Sequence, residues 1–121
     1  MEAIEFLESA NEMLNKLEHK EINYRNAASR AYYGAFHSCK KLLQDFPPTE
    51  SQRGAEHEKI IAELLKHQNK QFKILGNMLK MSKDQRVRAD YKLAEKFSVQ
   101  DAKRVILSTK KLLEEIGNLR K

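Results

Sequence analysis

Residues 23–45 have the sequence NYRNAASRAYYGAFHSCKKLLQD, in which small and apolar residues recur every three or four positions. At about 100° per residue, these fall on one side of a helix. That side carries Ala28, Ala31, Ala35, Cys39, Leu42 and, at its end, Phe46. Because most of these side chains are small, a neighbouring helix can come close. The stretch therefore predicts a long amphipathic helix with this side in the core.

Four further helices are predicted around it. Apolar periodicity indicates helices over residues 3–18, 55–66 and 72–88, and Ser98 with Asp101 resembles a capping box that opens the last one. The first of them places Ile4, Leu7, Ala10, Leu14 and Leu17 on its apolar side. Prolines 47 and 48 end the second helix, and residues 46–54 form a loop.

Gly and β-branched residues are scarce, which nearly excludes an all-β fold. The 121 residues fit one domain, over 1–121. The sequence predicts an all-α protein, a five-helix antiparallel bundle.

Charge is distributed unevenly along the chain, whose net charge is +6. Residues 66–92 carry eight basic side chains against two acids, and residues 1–21 carry six acids against two lysines. A cationic segment favours a polyanion such as nucleic acid or a nucleotide phosphate, and a solvated helix surface is the alternative interpretation.

The compartment is predicted from the N-terminus and from cysteine content. The first residues, MEAIEFLE, are acidic where a secretory signal would be basic, and no apolar run approaches the roughly 18 residues of a membrane helix. Cys39 is the only cysteine, so no intrachain disulfide is possible. We expect a cytoplasmic protein that does not associate with membranes.

A second side of the long helix is polar. It carries Asn26, Arg30, Tyr33, His37 and Lys40 or Lys41. Arg30 and His37 are seven residues apart, so they differ by roughly 20° in projection. Gly34, on the flank, costs about 1 kcal/mol relative to alanine inside a helix, and close approach of another backbone or a ligand would explain it.

The segment NYRNAASRAYYGAFH, residues 23–37, resembles the signature helix of the HEPN family, the higher-eukaryote and prokaryote nucleotide-binding domain. A second resemblance follows in RADY at residues 88–91 and in FSV at residues 97–99, which open the closing helix. The resemblance implies a helical bundle that commonly dimerises through its signature helices. It also implies an Arg and His pair at the dimer contact, which Arg30 and His37 match with six intervening residues.

In the family's ribonucleases such a pair cleaves RNA without a metal or other cofactor. The family often occurs with a minimal nucleotidyltransferase, as toxin and antitoxin, or in phage-defence operons. The resemblance therefore predicts a homodimeric endoribonuclease of toxin or defence type, with Arg30 and His37 catalytic and no metal or cofactor.

The chemistry suits these residue types. Cleavage by the RNA's own 2′-hydroxyl needs a group that exchanges protons near neutral pH, which His does best, and a fixed cation for the phosphate, which Arg provides. Tyr33 could stack on a base, Lys40 and Lys41 could hold flanking phosphates, and Asn26 completes the predicted substrate-binding set.

Ala31 departs from the family pattern, since the residue after the Arg is usually polar in active nucleases. The alternative is a non-catalytic HEPN module that binds a nucleotide or a partner protein such as a nucleotidyltransferase. His57, Glu63 and His67 could suggest a metal site, but their spacing gives no third ligand beside Glu63 and His67, and surface positions are the expected account.

Overall fold

The computed structural model describes residues 1–16 and 18–121. The described residues form helices and no strand, which confirms the all-α prediction. The helices are α1 (Ile4–Lys16), α2 (Glu21–Asp45), α3 (Glu56–Leu65), α4 (Gln71–Tyr91) and α5 (Val99–Leu119). Leu17, predicted on the apolar side of the first helix, lies outside the described residues.

α2 is the central helix, and it packs against each of the other four. Its predicted core side is confirmed for Ala28, Ala31, Ala35, Cys39 and Leu42, all of which are fully buried. Phe46 was wrongly predicted to belong to this side, because it lies one residue beyond the end of α2 and is 45% exposed. Its ring instead meets the edge of Phe72.

The segment between α2 and α3 doubles back along the bundle. His57, at the start of α3, stacks on Phe36 in the middle of α2, whereas His67, just after α3, lies 2.9 Å from the Phe46 carbonyl at the end of α2. α3 therefore runs in the same direction as α2. α4 runs opposite to both, since Phe72 at its start stacks on His67 and Arg86 near its end lies over Tyr32.

α4 extends three residues beyond its predicted end at Arg88. A buried arginine on α2 explains the extension. The Arg25 guanidinium donates to the carbonyls of Arg88, Ala89 and Lys92, which are among the last acceptors of the helix. Helix carbonyls without partners would otherwise be costly to bury, so a distant residue stabilises this end.

α5 begins as predicted. The Ser98 hydroxyl accepts from the backbone N–H of Asp101 at 3.1 Å, and the Asp101 carboxylate accepts from the N–H of Ser98 at 2.8 Å. Both halves of the capping box are present. Ile4 lies on the same side of α1 as Leu7, as predicted, but it is 44% exposed because it belongs to the first turn and lines an open groove between α1 and α5.

None of the described helices combines the length and apolar character needed to cross a membrane.

Candidate functional site

The predicted site residues lie together on one side of α2, which we call the α2 strip (Asn26, Arg30, Tyr33, His37, Lys40 and Lys41). α1 packs along one edge of the strip, and α3 and α4 pack along the other. Along the strip, Asn26, Arg30, His37 and Lys41 are exposed, whereas Tyr33 and Lys40 are partly buried. The strip is a polar helix face that is open to a ligand or to a second chain.

His37 is oriented by α1. Its imidazole stacks on the Phe6 ring with centroids 5.3 Å apart and planes 18° apart. The Phe36 ring meets the same imidazole edge-on at 5.2 Å. Two apolar rings therefore support His37 from different sides and leave it exposed. Nothing in the spacing of α2 pointed to Phe6.

Tyr33 is more enclosed than the sequence suggested. Its ring lies 6.2 Å from Phe6 and 6.1 Å from His57, and the Arg86 guanidinium is 5.7 Å from its centroid. A nucleobase could stack only on the part of the ring that these neighbours leave open.

The lysines at the end of the strip differ in their partners. Lys40 forms an ion pair with Glu56 at the start of α3, and this hydrogen bond lowers the pKa of the Glu56 carboxyl. Lys41 is exposed. Lys41 is therefore the freer of the two cations for a phosphate.

Apart from Tyr33, the residues between Arg30 and His37 are buried. Ala31 is fully buried, and its carbonyl accepts a hydrogen bond of 3.0 Å from the Thr109 hydroxyl on α5. Gly34 lies against α1, where an added Cβ would be 3.3 Å from both the Ala3 carbonyl oxygen and the Phe6 Cβ. The close approach predicted for Gly34 is thus made within the chain, by α1.

A family model for the HEPN domain matches residues 1–119. The chain belongs to the HEPN domain family. HEPN domains are commonly nucleases or nucleotide-binding modules. No curated protein and no solved structure matches the chain.

An aromatic and basic cluster, which the sequence did not predict, lies along the α3 and α4 edge of the α2 strip. It consists of Tyr32, Phe36, His57 and Arg86. His57 stacks on Phe36 at 4.1 Å between centroids, and its Nδ1 lies 2.6 Å from the Tyr32 hydroxyl. Tyr32 is fully buried, and burial raises the pKa of its phenol. The spacing of residues along one helix could not predict a cluster whose members come from three helices. The unusual number of aromatic residues in 32–37 was the one sign of it in the sequence.

Arg86 is the buried cation of this cluster. Its Nη1 donates to the Asp90 carboxylate at 3.4 Å, and Asp90 also accepts from the Ser29 hydroxyl at 3.2 Å. Arg86 Nε is buried and has no hydrogen-bond partner among the described residues. Asp90 therefore accepts from both an arginine and a hydroxyl, whereas Tyr91 is 70% exposed and lies with its ring centroid 5.8 Å from the Arg86 guanidinium.

The basic segment 66–92 is only partly available to a polyanion. Arg88 pairs with Glu95 and Asp101, and Lys83 pairs with Glu58. Arg86 is 9% exposed. The exposed lysines of the segment are Lys66, Lys70, Lys73, Lys80 and Lys92.

The three residues considered as metal ligands lie apart. His57 belongs to the aromatic cluster, the Glu63 carboxylate accepts from the N–H of Gln52, and His67 stacks on Phe72. Glu63 and His67 were expected at the surface but are buried, because α3 turns this side towards the 46–55 segment and α4. Among residues 1–16 and 18–121, no three His, Cys, Asp or Glu side chains come together as a metal site.

A groove with a volume of about 730 Å³ lies elsewhere, between α1 and α5. Apolar side chains such as Ile4, Leu7, Ile106 and Leu107 line it. No residue of the α2 strip contributes to it.

Proposed function

We propose that this HEPN protein is a metal-independent endoribonuclease of toxin or defence type, which acts on RNA through Arg30 and His37 at a contact between two copies of the chain. The observation that carries the proposal is the open face of α2, where an exposed Arg30 and a supported, exposed His37 lie about two turns apart.

The two side chains have complementary tasks. The Arg30 guanidinium presents planar donors to the non-bridging oxygens of a phosphate, where negative charge grows in the transition state. The His37 imidazole transfers a proton to or from a reacting oxygen. Asn26 and Lys41 extend this face in both directions along α2, and Tyr33 lies between the pair. These residues would contact the flanking nucleotides, with Lys40 available only when it leaves Glu56.

A homodimer would enclose this face. Helices α1, α3, α4 and α5 cover the remaining sides of α2 and leave the strip open. A two-fold contact between two strips would bring two Arg and His pairs to one cleft. Since α1 already covers Gly34, we place the contact at the exposed strip residues and not at that glycine.

Ala31 supports the second candidate function, a non-catalytic module that binds a nucleotide or a partner protein such as a minimal nucleotidyltransferase. Its buried methyl group and engaged carbonyl leave nothing polar to offer at the position after Arg30. On this alternative, the strip binds a phosphate-containing ligand without cleaving RNA.

Cleavage of an RNA panel in EDTA separates the two functions. We expect wild-type dimer, verified by sedimentation, to cut RNA, and His37→Ala to lower the rate by a factor of about 10² or more. Arg30→Lys keeps the charge but loses the planar fork, so the rate should fall while RNA binding persists.

Lys111→Ala, at an exposed position of α5, is the matched surface control and should cleave like wild type. Intact RNA across pH 6 to 9, with binding of a nucleotide that both site substitutions weaken, would favour the binding module.

A further inference from the structure

The imidazoles of His37 on α2 and His57 on α3 both lie beside the rings of Tyr33 and Phe36. The Phe36 ring centroid lies 5.2 Å from that of His37 and 4.1 Å from that of His57. The Tyr33 centroid lies 6.4 Å and 6.1 Å from the same two rings. His37 and His57 are therefore at most the sum of the two Phe36 distances apart. This upper limit allows a phosphodiester to lie between the two imidazoles, with its attacking and leaving oxygens on opposite sides.

The ring of His57 is held in a defined orientation. Its Nδ1 lies 2.6 Å from the hydroxyl of the buried Tyr32, and its face stacks on Phe36 with planes 21° apart. Because Nδ1 points to the interior, Nε2 lies on the opposite side of the ring, and the residue is partly exposed. When Nδ1–H donates to the Tyr32 oxygen, Nε2 keeps a free electron pair that can accept a proton.

The charges around His57 favour its neutral form. Burial lowers its pKa, and the cations Arg86 and Lys83 on α4 and His37 on α2 lower it further, against Glu56 on its own helix, which raises it. Tyr32 and Tyr33 are the other titratable groups that face the ring. A neutral imidazole is the form that a general base requires.

We propose that His57 is the general base and His37 the general acid of the RNA cleavage proposed above, so that each protomer holds both groups. This rests on the proposed ribonuclease function. The 2′-hydroxyl gives its proton to His57 Nε2 while its oxygen bonds to phosphorus. The bond from phosphorus to the 5′-oxygen breaks, and that oxygen takes a proton from His37. The products are a 2′,3′-cyclic phosphate and a 5′-hydroxyl.

Leaving-group substitution distinguishes a base from an acid. The probes are an oligoribonucleotide spanning a bond that the wild type cuts, and the same RNA with sulfur in place of the 5′-bridging oxygen. A thiolate leaves without a proton, so only the first substrate needs the acid. We expect His57→Gln to lower the rate on both RNAs by about 10² or more, and His37→Gln to lower it only on the oxygen substrate.

His67→Gln is the matched control for a histidine that only packs. His67 stacks on Phe72 at 4.0 Å and lies 2.9 Å from the Phe46 carbonyl oxygen, so it resembles His57 in its environment but lies at the other end of α3. Its variant should lose comparable stability and keep wild-type cleavage of both RNAs. Tyr32→Phe, which keeps the ring and removes the hydroxyl, should lower both rates by about tenfold through misorientation of His57.

The pH dependence provides a readout independent of folding. Because the pKa of His57 is lowered, the base stays neutral to lower pH, and the acid limb of the wild-type profile on the sulfur substrate should lie below about 6.5. The residual activity of His57→Gln should lack this limb.

A folded His57→Gln variant that cuts the sulfur RNA at the wild-type rate would overturn the assignment and leave the ribonuclease proposal standing. Wild-type protein that cuts no RNA of the panel from which the probe is chosen would overturn both.

Discussion

The two edges of the α2 strip are closed in different ways. At the α1 edge, Gly34 lets backbone and Phe6 approach within 3.3 Å of a Cβ position, so this edge is closed by shape. At the α3 and α4 edge, the Tyr32 hydroxyl, His57 and the Arg86 and Asp90 pair replace such close packing with hydrogen bonds and charge. One edge therefore supports the strip mechanically, and the other places titratable groups beside it.

This difference shows how a single helix can be both core and site. Small residues on α2 let α1 and α5 come close, which fixes the axis of the helix. Larger polar and aromatic groups at the other edge keep α3 and α4 in contact with the strip while leaving His57 partly exposed. Substitutions at the first edge should change stability, and substitutions at the second should also change chemistry.

The largest expected effect on stability is at the α1 edge of the strip. Gly34→Leu introduces a side chain where even a methyl group would be tight against the Ala3 carbonyl, so we expect a loss of about 2–3 kcal/mol in the free energy of unfolding. Urea unfolding followed by circular dichroism measures it. Gly117→Leu on α5, where no atom lies within 4 Å of an added Cβ, should be neutral or stabilising by up to about 1 kcal/mol. Equal losses at the two glycines would remove the distinction between the edges.

A smaller effect on stability is expected at the α3 and α4 edge. Asp90→Ala removes the acceptor of both Arg86 Nη1 and the Ser29 hydroxyl and leaves a mostly buried guanidinium without its carboxylate. Because the Asp90 side chain is itself 26% exposed, water can replace part of the contact, and we expect a loss of about 1–2 kcal/mol.

Arg30→Ala, at an exposed strip position, is the control for Asp90→Ala and should change unfolding by less than about 0.5 kcal/mol. Urea titrations of the two variants provide the comparison. If Asp90→Ala unfolds like wild type, the Arg86 and Asp90 pair does not hold α4 against the strip.

The sequence predicted the local features of this molecule well. Helical spacing placed the side of α2 that carries Ala28 and Leu42 in the core and Arg30 with His37 on the outside, because both follow from the geometry of one helix. The capping box of α5 was equally local. The last turn of α4 was missed because its carbonyls are satisfied by Arg25, more than 60 residues earlier in the chain.

The His57 environment was missed for the same physical reason. Its position depends on the return of the 46–55 segment, which brings the start of α3 beside Phe36. Spacing along a helix carries no information on which residues meet across helices. The pairing of Lys40 with Glu56 has the same origin, and it changes the role expected of that lysine.

The smallest expected effect compares the two lysines at the end of the strip. Binding of a labelled RNA is measured in a His37→Ala background, which prevents cleavage, between about 50 and 200 mM salt. Lys41→Gln should weaken binding a few-fold and flatten the salt dependence of log K by about 0.7, as expected for one phosphate contact to a single strand. Lys40→Gln should change it less, because Glu56 already holds that charge. Glu56→Gln frees Lys40 and should tighten binding.

If Lys40→Gln weakens binding as much as Lys41→Gln and Glu56→Gln has no effect, the ion pair opens without cost in the complex. On that outcome, the Lys40 and Glu56 pair does not affect RNA binding, and His57 is the residue through which the α3 edge affects the strip.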